Sequence, residues 1–216
     1  MKKYRGWHLS AGYEAYGEQR PIETGTRLTF EGEPVLCKRG EHASERPIDA
    51  LKYASGAIVS RVVLSGTIVL DTDKAVATKR YHEAVFDASD LLHRFAVWCV
   101  GMALTAEREA GREPDARSWA ALDAKMRWLS GNVSDKELEA ASEAAYEAAS
   151  EAARWAANEA ASEAARWAAN WAASWAARRA ASEAAYEAAR WAVSNEQNRI
   201  LENALLYVIE AKEAMA

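Results

Sequence analysis

Ala57-Ile58-Val59-Ser60-Arg61-Val62-Val63-Leu64, then Ser65-Gly66, then Thr67-Ile68-Val69-Leu70, is the run on which the fold turns. β-Branched residues dominate it, and such side chains suit a pleated, half-buried surface better than a helix. Ser65-Gly66 reads as a turn between two strands, and Asp71-Thr72-Asp73 as an acidic turn after the second. A further strand is expected within Ala75–Phe86, where Val76, Thr78, Tyr81, Val85 and Phe86 carry the β signal. Strands joined by such short turns pair antiparallel.

Upstream, residues 4–9 mix aromatic and polar side chains and read as a first strand, followed by a long loop punctuated by Gly12, Gly17, Pro21 and Gly25. Arg27-Leu28-Thr29-Phe30 alternates as a short strand does, and Val35-Leu36-Cys37 is another short apolar run. Gly40-Glu41-His42-Ala43-Ser44-Glu45-Arg46-Pro47-Ile48-Asp49-Ala50-Leu51-Lys52-Tyr53-Ala54 is the segment richest in signals. Ser44 is suited to cap a short helix with Pro47 in its first turn, Ile48 and Leu51 facing inward and Gly56 ending it.

Downstream, Asp87-Ala88-Ser89-Asp90 offers caps for a helix through about Glu109, with an apolar stripe of Leu91, Leu92, Phe95, Val97, Trp98 and Met102. Gly111 and Pro114 break it, and a second helix is expected from about Asp115 to Leu129. Gly131 ends that helix, and Ser134 with Glu137 has capping-box spacing for a long third one. Ser142–Val193 consists of thirteen four-residue units, twelve of which end in Ala-Ala. Ala is the best helix former, so one long Ala-rich helix is expected. Each unit advances about 400°, so the pattern drifts roughly 40° per unit and gives no sustained coiled-coil seam. Trp167, Trp171 and Trp175 share one sector, and Trp155 and Trp191 fall on the opposite side. Ser194 and Gln197 again have capping-box spacing, and Ile200, Leu201, Ala204, Leu205 and Val208 form an amphipathic stripe suited to docking or self-association. The fold class expected is α+β. A small N-terminal mixed domain with an antiparallel sheet (1–88) precedes a helical pair (89–132) and the Ala/Trp-rich helix with its terminal amphipathic segment (133–216).

The 216 residues carry a net charge of −5, which argues against a binder of nucleic-acid backbones, since those present a basic patch or stripe. Cys37 and Cys99 read as reduced, buried thiols rather than a disulfide framework. Met1-Lys2-Lys3-Tyr4-Arg5-Gly6-Trp7-His8 lacks the apolar core of a signal peptide, and no stretch is apolar enough to span a membrane, so the expected location is cytoplasmic.

Arg5-Gly6-Trp7-His8, Leu36-Cys37-Lys38-Arg39-Gly40-Glu41-His42-Ala43-Ser44, Pro47-Ile48-Asp49-Ala50-Leu51-Lys52-Tyr53, Val62-Val63-Leu64-Ser65-Gly66 and Asp73-Lys74-Ala75-Val76-Ala77 resemble a domain family found in phage and prophage proteins. The resemblance covers less than half of the chain and implies a phage origin rather than a chemistry. A second resemblance rests on the order Gly40, His42, Ala43, Ser44, then Ala50 and Tyr53, then Leu64 and Gly66, which is similar to the centre of ADP-ribosyltransferase domains. It implies NAD as cofactor. His42 would stand where that family places a nicotinamide-stacking Tyr, His8 at the adenosine ribose, and Glu83 as the Glu that polarises the ribose, with Tyr53 beside them.

From the residues themselves, His42 reads as a polar group bonding a loop backbone, or as a ligand contact beside the Ser44 helix start, whose free N–H groups suit an anion. Arg39 and Arg46 would add charge there, together with Lys38. Cys37 as a nucleophile would need His42 as its base, and its place at the end of an apolar run favours an inert buried thiol. Two ligands do not make a zinc site, so no metal is expected. His82 alternates with Tyr81 and Glu83 on an expected edge strand.

The leading expectation is a phage accessory protein, for host interaction or anti-defence. It would bind a host protein or a small nucleotide-like ligand and form a homo-oligomer through its tail, using Trp155, Trp167, Trp171, Trp175, Trp191, Leu201 and Leu205. This reading involves no enzyme activity, cofactor, nucleic acid or membrane. The alternatives are an enzyme of ADP-ribosyltransferase type using NAD, and a structural scaffold component.

Overall fold

The computed structural model describes residues 3–14, 20–147 and 175–215, with the backbone alone over 175–193. The chain divides into two compact units, Met1–Leu92 with Val193–Ala216, and His93–Ala192.

The first unit is built on five antiparallel strands, β1 (Tyr4–Ser10), β2 (Arg27–Thr29), β3 (Glu41–Ala43), β4 (Ile58–Leu70) and β5 (Ala75–Asp87), with one short helix, α1 (Pro47–Leu51). The order is β1-β4-β5-β2, and β3 also pairs with β5. The antiparallel sheet and the helices make the chain α+β, as expected.

The Ser65-Gly66 turn does not form. β4 runs unbroken from Ile58 to Leu70, and the register against β5 slips between Ser65 and Ile68. Gly66 and Thr67 together oppose Thr78, a β-bulge in which Gly66 takes φ +83° and the Thr67 N–H donates to Thr78 Oγ1 at 3.1 Å. A left-handed glycine serves a bulge as well as a turn, so the dipeptide alone did not discriminate. A Cβ at Gly66 would collide with the Thr78 hydroxyl. Gly66→Ala should therefore cost about 1–2 kcal/mol, read as a lower urea midpoint with an unchanged slope.

β3 closes the sheet into a partial barrel. Ser44, just after β3, exchanges both backbone bonds with Trp7 (N···O 2.7 and 3.0 Å), so the path β1-β4-β5-β3 returns to β1. Gly6 permits this seam, because a Cβ there would lie 2.6 Å from the Ser44 carbonyl oxygen. Ala43, Val62, Leu64, Ala75 and Ala77 form the buried cluster, with Tyr4 and Ile68 packed against it.

Polar groups share this interior. Arg80 is 3% exposed, its NH2 meets Glu41 Oε2 at 3.0 Å, its NH1 donates to the His42 carbonyl at 2.9 Å, and its Nε donates to His82 Nε2 at 3.1 Å. β5 is thus not an edge strand with a solvated face. It has β4 on one side and β2 and β3 on the other, and His82 is fully buried.

The C-terminal helix, α5 (Trp175–Ala214), ends in this unit. Leu201, Leu205 and Ile209 are buried at four-residue spacing. Beside them Ser194, Asn198 and Glu202, also at four-residue spacing, reach Arg46, the Ile48 N–H and the Trp7 indole. Ser194 and Gln197 open no new helix, since α5 is helical through both.

In the second unit, α2 (Ser89–Glu109, entering from the first unit) and α3 (Ala116–Leu129) pair as an antiparallel hairpin. His93 meets Trp128, Gly101 faces Leu122, and Arg108 lies over Trp119. Asp115 caps α3 by accepting from the Arg117 N–H at 2.8 Å. Residues 135–147 are helical (α4) and open with the expected capping box, the Ser134 N–H donating to Glu137 at 2.8 Å and the Glu137 N–H to Ser134 Oγ at 3.3 Å. Most of the Ala-rich tract, with Trp155, Trp167 and Trp171, lies outside the described residues, as do the side chains of Trp175 and Trp191. No described helix is long and apolar enough to cross a membrane.

Candidate functional site

Beyond the Trp7–Ser44 seam, β1 and β3 part company. One side comes from the end of β1 and the residues after it as far as Glu14, the other from residues 37–44 and from the end of α1. A cavity of about 630 Å³ opens between them. Its walls include His8, His42, Ser44, Tyr53 and Lys74. Tyr13, about half exposed like Tyr53, also lines it, together with the polar side chains of Glu14 and Lys38.

His42 is fixed by backbone. Its Nδ1 faces the Gly40 carbonyl at 3.0 Å and its Nε2 accepts the Cys37 N–H at 3.2 Å. An N–H donor at Nε2 and a carbonyl at Nδ1 require the neutral Nδ1–H tautomer. Burial, the largest influence, also holds its pKa below the usual histidine value. Both nitrogens are therefore engaged, so His42 cannot act as a base towards Cys37. It offers the cavity a ring surface instead.

Cys37 takes φ +60° and is exposed, which corrects the expectation of a buried thiol. The apolar run before it ends in a tight turn, with the Val35 N–H donating to the Arg39 carbonyl at 2.8 Å, and that turn puts Cys37 on the surface. Lys74 sits over the Tyr53 ring at 4.1 Å. Hydrogen bonds with the Cys37 and Tyr53 side chains hold its ammonium above the usual lysine range. The Tyr53 hydroxyl donates to Asp73 Oδ2 at 2.8 Å, which fixes the ring.

His8 is held well below the usual histidine pKa, chiefly by burial and then by Arg80, His82 and His42. His82 is pushed down to about 3 by burial and by Arg80. It accepts from Arg80 at Nε2, so its proton sits on Nδ1, where no partner is present among the described residues. Depressed histidine pKa values favour folding where both states are neutral, above the unfolded value near 6.5. As the pH falls below 6.5 the unfolded chain binds protons that the folded chain does not, so stability falls. His82 alone should remove about 2 kcal/mol between pH 7 and pH 5. The check is the urea midpoint across that range, which His82→Gln should flatten.

The expected site residues divide. His8, His42 and Tyr53 line the same cavity, with Ser44. Glu83 does not line it. That residue is the extra one in a second bulge, where Arg61 opposes Ala84 and Val62 opposes His82, and it pairs with Arg5 at 2.7 Å. Ser44 does not cap α1. The cap position is Arg46 with no side-chain bond, and Ser44 is 2% exposed with its backbone given to Trp7. The expected anion seat at that helix start is filled, because Pro47 has no N–H, Ile48 donates to Asn198 at 3.3 Å, and Asp49 and Ala50 donate to the Arg46 carbonyl. Arg46 turns to Ser194, and Arg39 is exposed and off the cavity wall. Leu201 and Leu205 are each 1% exposed, already covered within the chain.

Sequence reasoning missed Tyr13, Glu14 and Lys74. Lys74 follows the acidic turn directly, and a cation three residues after Asp71 was the available sign. Tyr13 and Glu14 lie in a glycine-broken loop without periodicity. Among the described residues no group of His, Cys, Asp and Glu is arranged to hold a metal ion. Compared with known proteins, the chain matches no family model, no curated protein and no solved structure.

Proposed function

We propose that the chain is a binding protein whose sheet unit takes a small nucleotide-like ligand in this cavity. The observation that carries the reading is the convergence of Tyr13, Tyr53, His8 and His42 with Lys38 and Lys74 around about 630 Å³. Flat aromatic and imidazole surfaces suit a base or nicotinamide ring, and the lysines suit phosphate. With the phage-family resemblance, this fits an accessory protein acting within an infected cell on a host nucleotide or a host protein. Assembly into a homo-oligomer is assigned to the Ala/Trp tract, from its sequence alone. Replacing Trp167, Trp171 and Trp175 together by Ala should lower the mass of the full chain measured by light scattering, and an unchanged mass would remove that part of the proposal.

A second reading, an ADP-ribosyltransferase using NAD, is favoured by His8, His42 and Tyr53 lining the same cavity. The position of Glu83 weighs against it, and Glu14 is the carboxylate that lines the cavity.

Isothermal titration of the full chain with ADP-ribose and with NAD, assayed in parallel for free nicotinamide, tests both. Saturable binding is expected, weakened about tenfold by Lys74→Gln, as loss of a charge-assisted contact implies, with no nicotinamide released. Release abolished by Glu14→Gln or Glu83→Gln would establish the enzyme instead. No heat with either ligand would overturn the nucleotide reading.

A further inference from the structure

β4 is longer than the strand that covers its outer side. β1 pairs with it from Ile58 to Leu64 and ends at Tyr4, whereas β4 continues to Leu70. Among the described residues no strand lies along that side of residues 65–70, and β5 takes only the other side. The Asp71 N–H donates to the Lys74 carbonyl at 2.8 Å, so the backbone at 71 faces the β5 side. Facing alternates along an antiparallel strand. Val69 therefore also turns its backbone groups to β5, and Ile68 and Leu70 turn theirs to the open side. An unpaired row of this kind is a template for another strand.

The residues along the edge suit pairing. Thr67, Ile68 and Val69 are β-branched, and the stretch Thr67-Ile68-Val69-Leu70 contains no charge and no Pro, two of the devices that block edge-to-edge contact. The bulge at Gly66 lies at the end nearest β1 and leaves Ile68, Val69 and Leu70 in regular register with Ala77, Val76 and Ala75. Val69 is 37% exposed and Leu70 50%, and as neighbours on a strand they point to opposite faces of the sheet. A strand added here covers apolar surface on both faces.

The charges at the two ends fit a second copy of the same edge. The edge finishes in Asp71, and Lys3 continues the line of β1 beyond Tyr4. Among the described residues neither has an ion-pair partner. Two such edges laid antiparallel about Val69 set Ile68 of each opposite Leu70 of the other, where their outward backbone groups exchange hydrogen bonds. The same arrangement directs the Asp71 of each copy towards the Lys3 of the other. We propose that β4 pairs edge to edge with the β4 of a second copy of this chain, antiparallel over residues 67–71, to make one continuous sheet across a two-fold axis. The contact is small and therefore reversible, and it is separate from both the cavity and the Ala/Trp tract.

The test is amide hydrogen exchange of the full chain at residue resolution, across a dilution series. The Ile68 and Leu70 amides are expected to be protected at high concentration and to lose protection on dilution, while Val69, bonded to β5, stays protected throughout. Leu70→Pro removes an outward N–H and none from the β5 ladder, so it should abolish the concentration-dependent protection at Ile68. If that variant disturbs the hairpin, Val69→Lys keeps every backbone bond and sets two like charges opposite each other, and it should abolish the effect as well. Lys3→Glu, which faces the Asp71 of the other copy, should weaken pairing severalfold. Fast exchange of Ile68 and Leu70 at every concentration, protection that survives Val69→Lys, or pairing unchanged in Lys3→Glu would each overturn the proposal.

Discussion

Arg80→Ala should destabilise the sheet unit by about 3–5 kcal/mol, the loss expected when one partner of a buried ion pair is removed. Arg80 is 3% exposed and serves three acceptors on two strands: the Glu41 carboxylate, the His42 carbonyl and the His82 ring. Truncation leaves a carboxylate in an apolar interior with no cation and orphans a ring nitrogen and a backbone carbonyl. Leu64 and Leu28, both buried, stand opposite Arg80 on the two flanking strands, so the truncation also leaves a void in a packed sheet. Because the penalty comes from what is left unpaired, Arg80→Met with Glu41→Leu should recover a large part of it. The urea midpoints of the single and double variants measure this. A loss below about 1 kcal/mol in Arg80→Ala would place the pair in solvent, contrary to the burial described here.

Trp7→Ala should cost a similar amount, about 3–5 kcal/mol. Trp7 is fully buried at the point where β1, Ser44 and the C-terminal helix meet. Its backbone closes the sheet, its ring carries the Arg61 guanidinium at 4.5 Å, and its indole N–H donates to Glu202 at 3.3 Å. The distinguishing result is spatial. Hydrogen exchange should rise most over residues 194–209, where the tie to β1 is lost, and only secondarily in β4 and β5. Trp7→Phe keeps most of the buried area and loses the indole bond, so a cost near 1 kcal/mol is expected. Equal effects of the two substitutions would mean that packing of the ring contributes little.

The legible part of this fold was the part written in local pattern. The β-branched run 58–70, the acidic turn at 71–73 and the strand beginning at Ala75 announce a hairpin, and the caps at Asp115 and Ser134 announce the helices they open. The illegible part depends on contacts between distant residues. β3 is three residues long and exists because β5 offers a second edge, and its continuation into Ser44 depends on Gly6 admitting a carbonyl oxygen. Ser44 and Pro47 did suggest a helix start, but Ser44 was claimed by β1 and the cap fell to Arg46. His82 alternates with polar neighbours as an exposed residue would, and only the pairing of β5 on both sides buries it. In the site, the order Gly40, His42, Ser44, Tyr53 was readable, and His42, Ser44 and Tyr53 do face one cavity. Glu83 was displaced by a bulge, which shifts the register by one residue and which no composition marks.

The most direct test of the central claim is the crystal structure of the full chain grown with ADP-ribose. The expected result is the ligand between β1 and residues 37–55, with a ring against Tyr53 or His42 and a phosphate within hydrogen-bond distance of Lys74 or Lys38. Crystals whose cavity holds only solvent at saturating ligand, or a ligand seated elsewhere on the chain, would contradict the assignment of this cavity as the nucleotide site.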